Sequence, residues 1–98
     1  MEPTLEDFLM RFGDMNILPQ NVPLKQMGIL YGRVKNNGHF RIIEMYSKLI
    51  TLYAIYLDNI EIYKTFIGHF NLETDMDELM FLAIESHATD ICFDLLNF

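Results

Sequence analysis

From His39 to Leu57 the chain runs nineteen residues without a proline or glycine, and its apolar side chains recur at helical spacing on two adjacent stripes. Phe40, Ile43, Tyr46, Ile50, Tyr53 and Leu57 form one stripe; Ile42, Met45, Leu49, Leu52 and Tyr56 form the other. A helix apolar on two neighbouring faces is buried over most of its circumference. This segment therefore needs other elements on several sides. It is expected to be the central helix of the fold, with Ser47-Lys48 as the one place where it would break.

The flanking sequence supplies those elements. Thr4-Leu5-Glu6-Asp7 has the composition of a helix start, a hydroxyl for the orphan amides and acids at the positive end of the dipole. Leu5, Phe8, Leu9 and Phe12 then share a face, and Gly13 closes the helix. Residues 13–23 hold the densest turn chemistry of the chain and read as a loop pinned to the core by Ile17 and Leu18. A second helix is expected from Pro23 to Lys35, carrying Met27, Leu30, Tyr31 and Val34 and stopped by Asn36-Asn37-Gly38. After a turn at Asp58-Asn59, Ile60 to Phe70 gives the next helix. Asn71 to Asp75 reads as a polar connection. Thr74 with Asp77, or Asp75 with Glu78, then starts a helix with Met76, Leu79, Met80 and Ala83 on its buried stripe. A break at Ser86-His87-Ala88-Thr89 precedes a last helix with Ile91, Cys92, Leu95 and Leu96. Nothing sustains the alternation of a strand. The expectation is an all-α fold, one compact domain over residues 1–98, with five or six helices arranged as helix-turn-helix pairs.

Composition narrows the class. Apolar residues make up 51% of the 98 and charged residues 21%, which opposes intrinsic disorder and leaves more apolar surface than one small core can hide. The longest uncharged apolar stretch of note, Leu49 to Leu57, is far short of the ~20 residues of a membrane-spanning helix. Glu2, Glu6 and Asp7 stand where a secretory leader would be basic and then apolar. A lone cysteine, Cys92, allows no internal disulfide and suits a reducing compartment. A cytoplasmic protein is expected, in the cytoplasm or nucleus of a host if its origin is viral.

The net charge of −7 is unevenly spread. Residues 24–57 carry Lys25, Arg33, Lys35, Arg41 and Lys48 against Glu44 alone, whereas residues 58–98 carry nine carboxylates against Lys64 alone. The chain is electrically polarised.

It also repeats itself. At an offset of 29, Ala54-Ile55 falls on Ala83-Ile84, Glu61-Ile62 on Asp90-Ile91, and Phe66-Ile67 on Leu95-Leu96. Each copy is a helix, a turn and a helix. Asn37-Gly38-His39 followed by Ile42-Ile43, together with Phe81-Leu82-Ala83-Ile84, resembles a degenerate ankyrin repeat over residues 28–98. The chain departs from that family where Thr-Pro-Leu-His is replaced by Glu78-Leu79-Met80-Phe81 and by Leu49-Ile50-Thr51-Leu52. Its offset is also shorter than the family's ~33 residues. The resemblance implies a protein-binding module without catalytic residues.

Site chemistry is sparse. His39, His69, His87 and Cys92 lack the spacing of a zinc site. The five glycines form no phosphate loop, and Ser47 and Ser86 have no nucleophile motif around them. Cys92 lies on an apolar helical face, where a thiol serves as a small core hydrophobe. Asp75, Asp77 and Glu78 sit at a helix start, where capping accounts for them without a cation. No cofactor, no metal and no catalytic residue are expected.

Two functional readings remain. In the first, the protein is a small non-enzymatic interaction module. Its acidic face of Glu73, Asp75, Asp77, Glu78, Glu85, Asp90 and Asp94 holds a basic protein, such as a nucleic-acid-processing enzyme, in the manner of phage and viral inhibitors or adaptors. In the second, a nucleic-acid-binding regulator uses the basic segment 25–48 through Arg33, Lys35 and Arg41, with tyrosines interleaved. The acidity of the molecule as a whole opposes the second. A further reading is self-association, with segment 40–57 partly covered by a second copy.

Overall fold

Six α-helices and one 3-10 turn account for the regular structure of residues 3–20, 24–38 and 41–98, which the computed structural model describes; no strand occurs among them. The expected helix start at Pro23, His39 and the stripe position Phe40 lie outside those residues. In chain order the helices are α1 (Leu5–Phe12), α2 (Leu24–Asn37), α3 (Glu44–Tyr56), α4 (Ile60–Phe66), α5 (Leu72–Glu85) and α6 (Thr89–Leu96), with the 3-10 turn at Ile67–His69. The all-α expectation holds.

Local sequence explains most boundaries. Thr4 and Asp7 form a reciprocal capping box: the Thr4 hydroxyl accepts from the Asp7 amide and the Asp7 carboxylate accepts from the Thr4 amide, both at 3.2 Å. The Asn59 side chain accepts from the Ile62 amide to start α4. Several expectations need correction. The helix expected from Ile60 to Phe70 ends at Phe66, and the chain goes on as the 3-10 turn Ile67–His69. Asn71–Asp75 is not a connection. The Asn71 side chain caps α5 by accepting from the Glu73 amide at 3.1 Å, and Asp75 accepts from the Asn71 amide, so α5 starts at Leu72. The central helix begins at Glu44, because Gly38 at φ +78° and extended backbone at Ile43 hold the chain out of helical geometry.

The central helix does not break at Ser47-Lys48. The Ser47 hydroxyl donates to the Ile43 carbonyl and the Thr51 hydroxyl to the Ser47 carbonyl at 2.8 Å, so both polar groups are satisfied one turn back while buried. Leu49, Ile50 and Leu52 of the two stripes are fully buried, and so are Ala54 and Ile55 outside them, whereas the stripe residue Ile43, ahead of the helix, is exposed. The chain itself covers this helix: α1, α2, α4 and α5 all pack on it. Leu18 is buried and Ile17 half-buried, which anchors the loop after α1. The radius of gyration, 12.3 Å, is close to the ~13 Å of a compact chain of about 100 residues.

The last four helices form two stacked pairs. α3 and α4 make one antiparallel pair and α5 and α6 the next, with α3 against α5 and α4 against α6. The turns within the two pairs are the same at an offset of 29. Asn59 donates to the Ala54 carbonyl and Asp58 to that of Ile55; Ala88 donates to the Ala83 carbonyl and His87 to that of Ile84. These are Schellman closures, and each sets one residue in the left-handed region, Asp58 at φ 55° and His87 at φ 57°.

Glycine is the usual occupant of that position, because a side chain there meets the backbone. His87→Gly is therefore expected to raise stability by about 1 kcal/mol, read as a higher urea midpoint at unchanged slope. At Asp58 a second effect adds. Burial, and then the Asp90 carboxylate, push the Asp58 carboxyl above its ordinary value. A carboxyl raised in the fold contributes stability while protonated and loses it as pH rises through the raised value. Asp58→Gly should then stabilise more at pH 7 than below pH 4, and equal gains at both would assign the whole effect to the backbone.

Candidate functional site

The exposed apolar surface concentrates on the second helix pair. α5 buries Leu79, Leu82 and Ala83 on the side facing the core, and α6 buries Ile91 and Leu95. On their outer sides Phe81 and Ile84 of α5, Phe93 and Leu96 of α6, and the following Phe98 are each at least half exposed. Scattered single apolar residues on a surface mean little, whereas four large ones on a single helix pair, with Phe98 just beyond it, make this pair the candidate contact face. The end of α1 reaches its edge, where the Phe12 ring lies 6.4 Å from that of Phe81 and Arg11 pairs with Glu85 at 3.2 Å.

The seven carboxylates expected on an acidic face divide by their partners. Four are engaged within the fold. Asp75 accepts from the Asn71 amide, Glu78 accepts from the Asn16 amide at 2.9 Å, Glu85 pairs with Arg11, and Asp94 accepts from the Tyr63 hydroxyl at 2.8 Å. Glu73, Asp77 and Asp90 are exposed. Helical spacing puts Glu73 and Asp77 on the same side of α5 as Phe81 and Ile84, and Asp90 one turn before Phe93. The surface is thus apolar with carboxylates beside it, rather than simply acidic.

The Tyr63–Asp94 bond joins α4 to α6 beneath this surface. Tyr63 is fully buried, and its hydroxyl would be orphaned without the carboxylate. Burial, then the hydrogen bond to Asp94 and its charge, hold the Tyr63 phenol far above its ordinary range. Cys92 is half-buried on α6, and burial followed by the Asp58 carboxylate pushes its thiol up. A thiol so placed is disfavoured as thiolate, opposite to what a nucleophile needs.

The three basic candidates are not brought together. Arg33 and Arg41 line one open groove of about 740 Å³ with Leu30, Ile42 and Ile43, and the Tyr46 hydroxyl donates to the Gln26 side chain at its wall. Lys35 lies apart, in a depression with Asp58 and Glu61, because two residues further along α2 turns it to the other side. Lys48 is near Glu44 at 3.6 Å and over the Phe70 ring. His69 is exposed and 6.4 Å from the Phe66 ring. Among the described residues no group of three or more His, Cys, Asp or Glu could hold a metal ion, and no helix is long and apolar enough to cross a membrane.

Sequence reasoning missed the apolar half of the surface. The signal was present, since Phe81 and Ile84 fall outside the Met76-Leu79-Met80-Ala83 stripe. Comparison with known protein families, with curated proteins and with solved structures finds no match to this chain.

Proposed function

We propose that the protein is a non-enzymatic protein–protein interaction module, a helix-pair array of ankyrin-like kind whose α5–α6 surface holds a protein partner. The observation that carries this reading is the set of large apolar side chains on α5 and α6, Phe81, Ile84, Phe93 and Leu96, exposed beside Glu73, Asp77 and Asp90. A partner with an apolar contact and a cationic surround suits that surface, and a protein that occupies a basic surface in this way acts as an inhibitor or an adaptor. Buried aromatic and aliphatic anchors within a polar surround supply most of the affinity in such contacts.

Affinity capture from a nuclease-treated lysate, with the natural chain beside Ile84→Glu/Leu96→Glu, tests the reading. One stoichiometric protein is expected with the natural chain and its loss with the variant, whose far-ultraviolet circular dichroism should be unchanged because both residues are exposed. No captured protein, or equal capture by the variant, overturns it. The groove with Arg33 and Arg41 supports a second reading, nucleic-acid binding. That reading requires retention on nucleic acid at low salt that Arg33→Ala/Arg41→Ala abolishes.

A further inference from the structure

The 29-residue repeat states what kind of surface the outer side of α5–α6 is. Phe81, Ile84 and Leu96 occupy the positions of Leu52, Ile55 and Ile67 in the preceding pair. In that pair, which α5 and α6 pack against, the three residues are 0%, 0% and 8% exposed. Their counterparts are 50%, 59% and 67% exposed. The two pairs share their turn hydrogen bonds and their left-handed turn residues, so equivalent side chains leave equivalent backbones. The outer side of α5–α6 thus repeats, in side-chain position and apolar character, a surface that this same fold covers with helices.

Charge separates the possible occupants. At the position of Lys48 the second pair has Asp77, and at that of Lys64 it has Phe93, so the cations of the first pair are absent from the second. Glu61 is matched by Asp90. A second copy laid face to face on this surface would bring two acidic surfaces together, with Asp77 and Asp90 on each. Like charges brought together across an interface are unfavourable. A helix with cations flanking its apolar stripe would instead meet opposite charge at Asp77 and Asp90, both exposed.

Resting on the interaction reading above, we infer that the occupant of the α5–α6 face is an amphipathic α-helix of another protein, with lysine or arginine flanking an apolar stripe, seated where a further helix of the array would lie. Leu96 and Ile84 contact its apolar residues, and Asp77 and Asp90 its cations. This is helix-in-groove recognition. The specificity is electrostatic and the adhesion apolar.

The test uses two synthetic peptides of about 18 residues, long enough to form an isolated helix. Both have the same leucine stripe and one tryptophan on it, flanked in one by lysine and in the other by glutamate. The protein contains no tryptophan, so a blue shift of the peptide's emission reports burial directly. Saturable binding of the lysine peptide to the natural chain is expected, with the glutamate peptide at least about tenfold weaker. Ile84→Glu/Leu96→Glu should weaken the lysine peptide although it adds two negative charges. Asp77→Lys/Asp90→Lys should weaken it as well.

Equal binding of the two peptides, or no binding of either, overturns the inference. So does tighter binding of the lysine peptide to the glutamate variant, which would show attraction by charge alone. Sedimentation of the natural chain as a dimer that Ile84→Glu/Leu96→Glu dissociates would assign the surface to a second copy. Failure here with successful, variant-sensitive capture from lysate leaves the interaction module standing and removes only the basic helix.

Discussion

Replacing Phe8 with alanine is expected to cost about 3–5 kcal/mol, measured as a lowered urea midpoint at pH 7. Phe8 is fully buried, and its ring lies 5.8 Å from Phe12, 6.0 Å from Tyr53 and 5.4 Å from Tyr56. Tyr53 in turn stands 4.8 Å from Tyr31 of α2, edge to face. The ring therefore sits where α1, α2 and α3 meet, and alanine would leave a void that three rigid aromatic neighbours cannot fill. Leu5 and Phe12 are buried on the same face of α1, and its polar tie adds little. The Arg11–Glu85 pair is about half exposed on both sides, and such pairs contribute roughly 0–1 kcal/mol.

Eight residues of helix do not persist alone in water, so α1 depends on its docking, and Phe8 is the most deeply buried of its anchors. A domain of this size is stable by about 5–15 kcal/mol, so the loss is a large fraction of the total. Met10→Ala, at a position 86% exposed on the same helix, is the control and should change stability by less than about 0.5 kcal/mol. A Phe8→Ala cost below about 1 kcal/mol would show that α1 is not part of the cooperative core.

The second large effect appears in alkali. The Tyr63 phenol is raised in the fold by burial and by Asp94. A group whose folded value lies above its unfolded one contributes stability that is fully present below the unfolded value and is lost as pH rises through the folded one. The unfolded value is near 10, so the loss begins there, with a slope of about 1.4 kcal/mol per pH unit. Tyr63→Phe removes this slope along with the bond to Asp94. At pH 7 the variant should be less stable by roughly 1–3 kcal/mol, since it leaves a carboxylate without its donor. Above about pH 10 the difference should shrink and then reverse. Urea unfolding of both proteins from pH 7 to 12 decides it, and parallel curves would mean that Tyr63 is not locked between α4 and α6.

Much of this was legible because it is local. Thr4 with Asp7 marks the start of α1, the two stripes mark α3 as central, and the offset of 29 marks the two closing turns. Each depends on residues within a turn or two, where helical spacing alone fixes the neighbours. The cap at Asn71 is harder to read for a related reason. Several polar residues there can serve as a cap, and the choice depends on where Phe70 must bury itself.

The candidate surface was only half legible. Glu73, Asp77 and Asp90 have the same charge in the sequence as Glu78, Glu85 and Asp94. Their difference lies in Asn16, Arg11 and Tyr63, which approach from 31 to 74 residues away. Arg33 and Arg41 meet in a groove while Lys35 does not, for the same reason. The sequence by itself determined the helices, the central position of α3 and the repeat, because periodicity and capping act over a few residues. The tertiary structure alone decided which carboxylates remain in solvent and which apolar residues have no cover. Burial and charge pairing are set by the elements that arrive on top, and no residue carries that information at its own position.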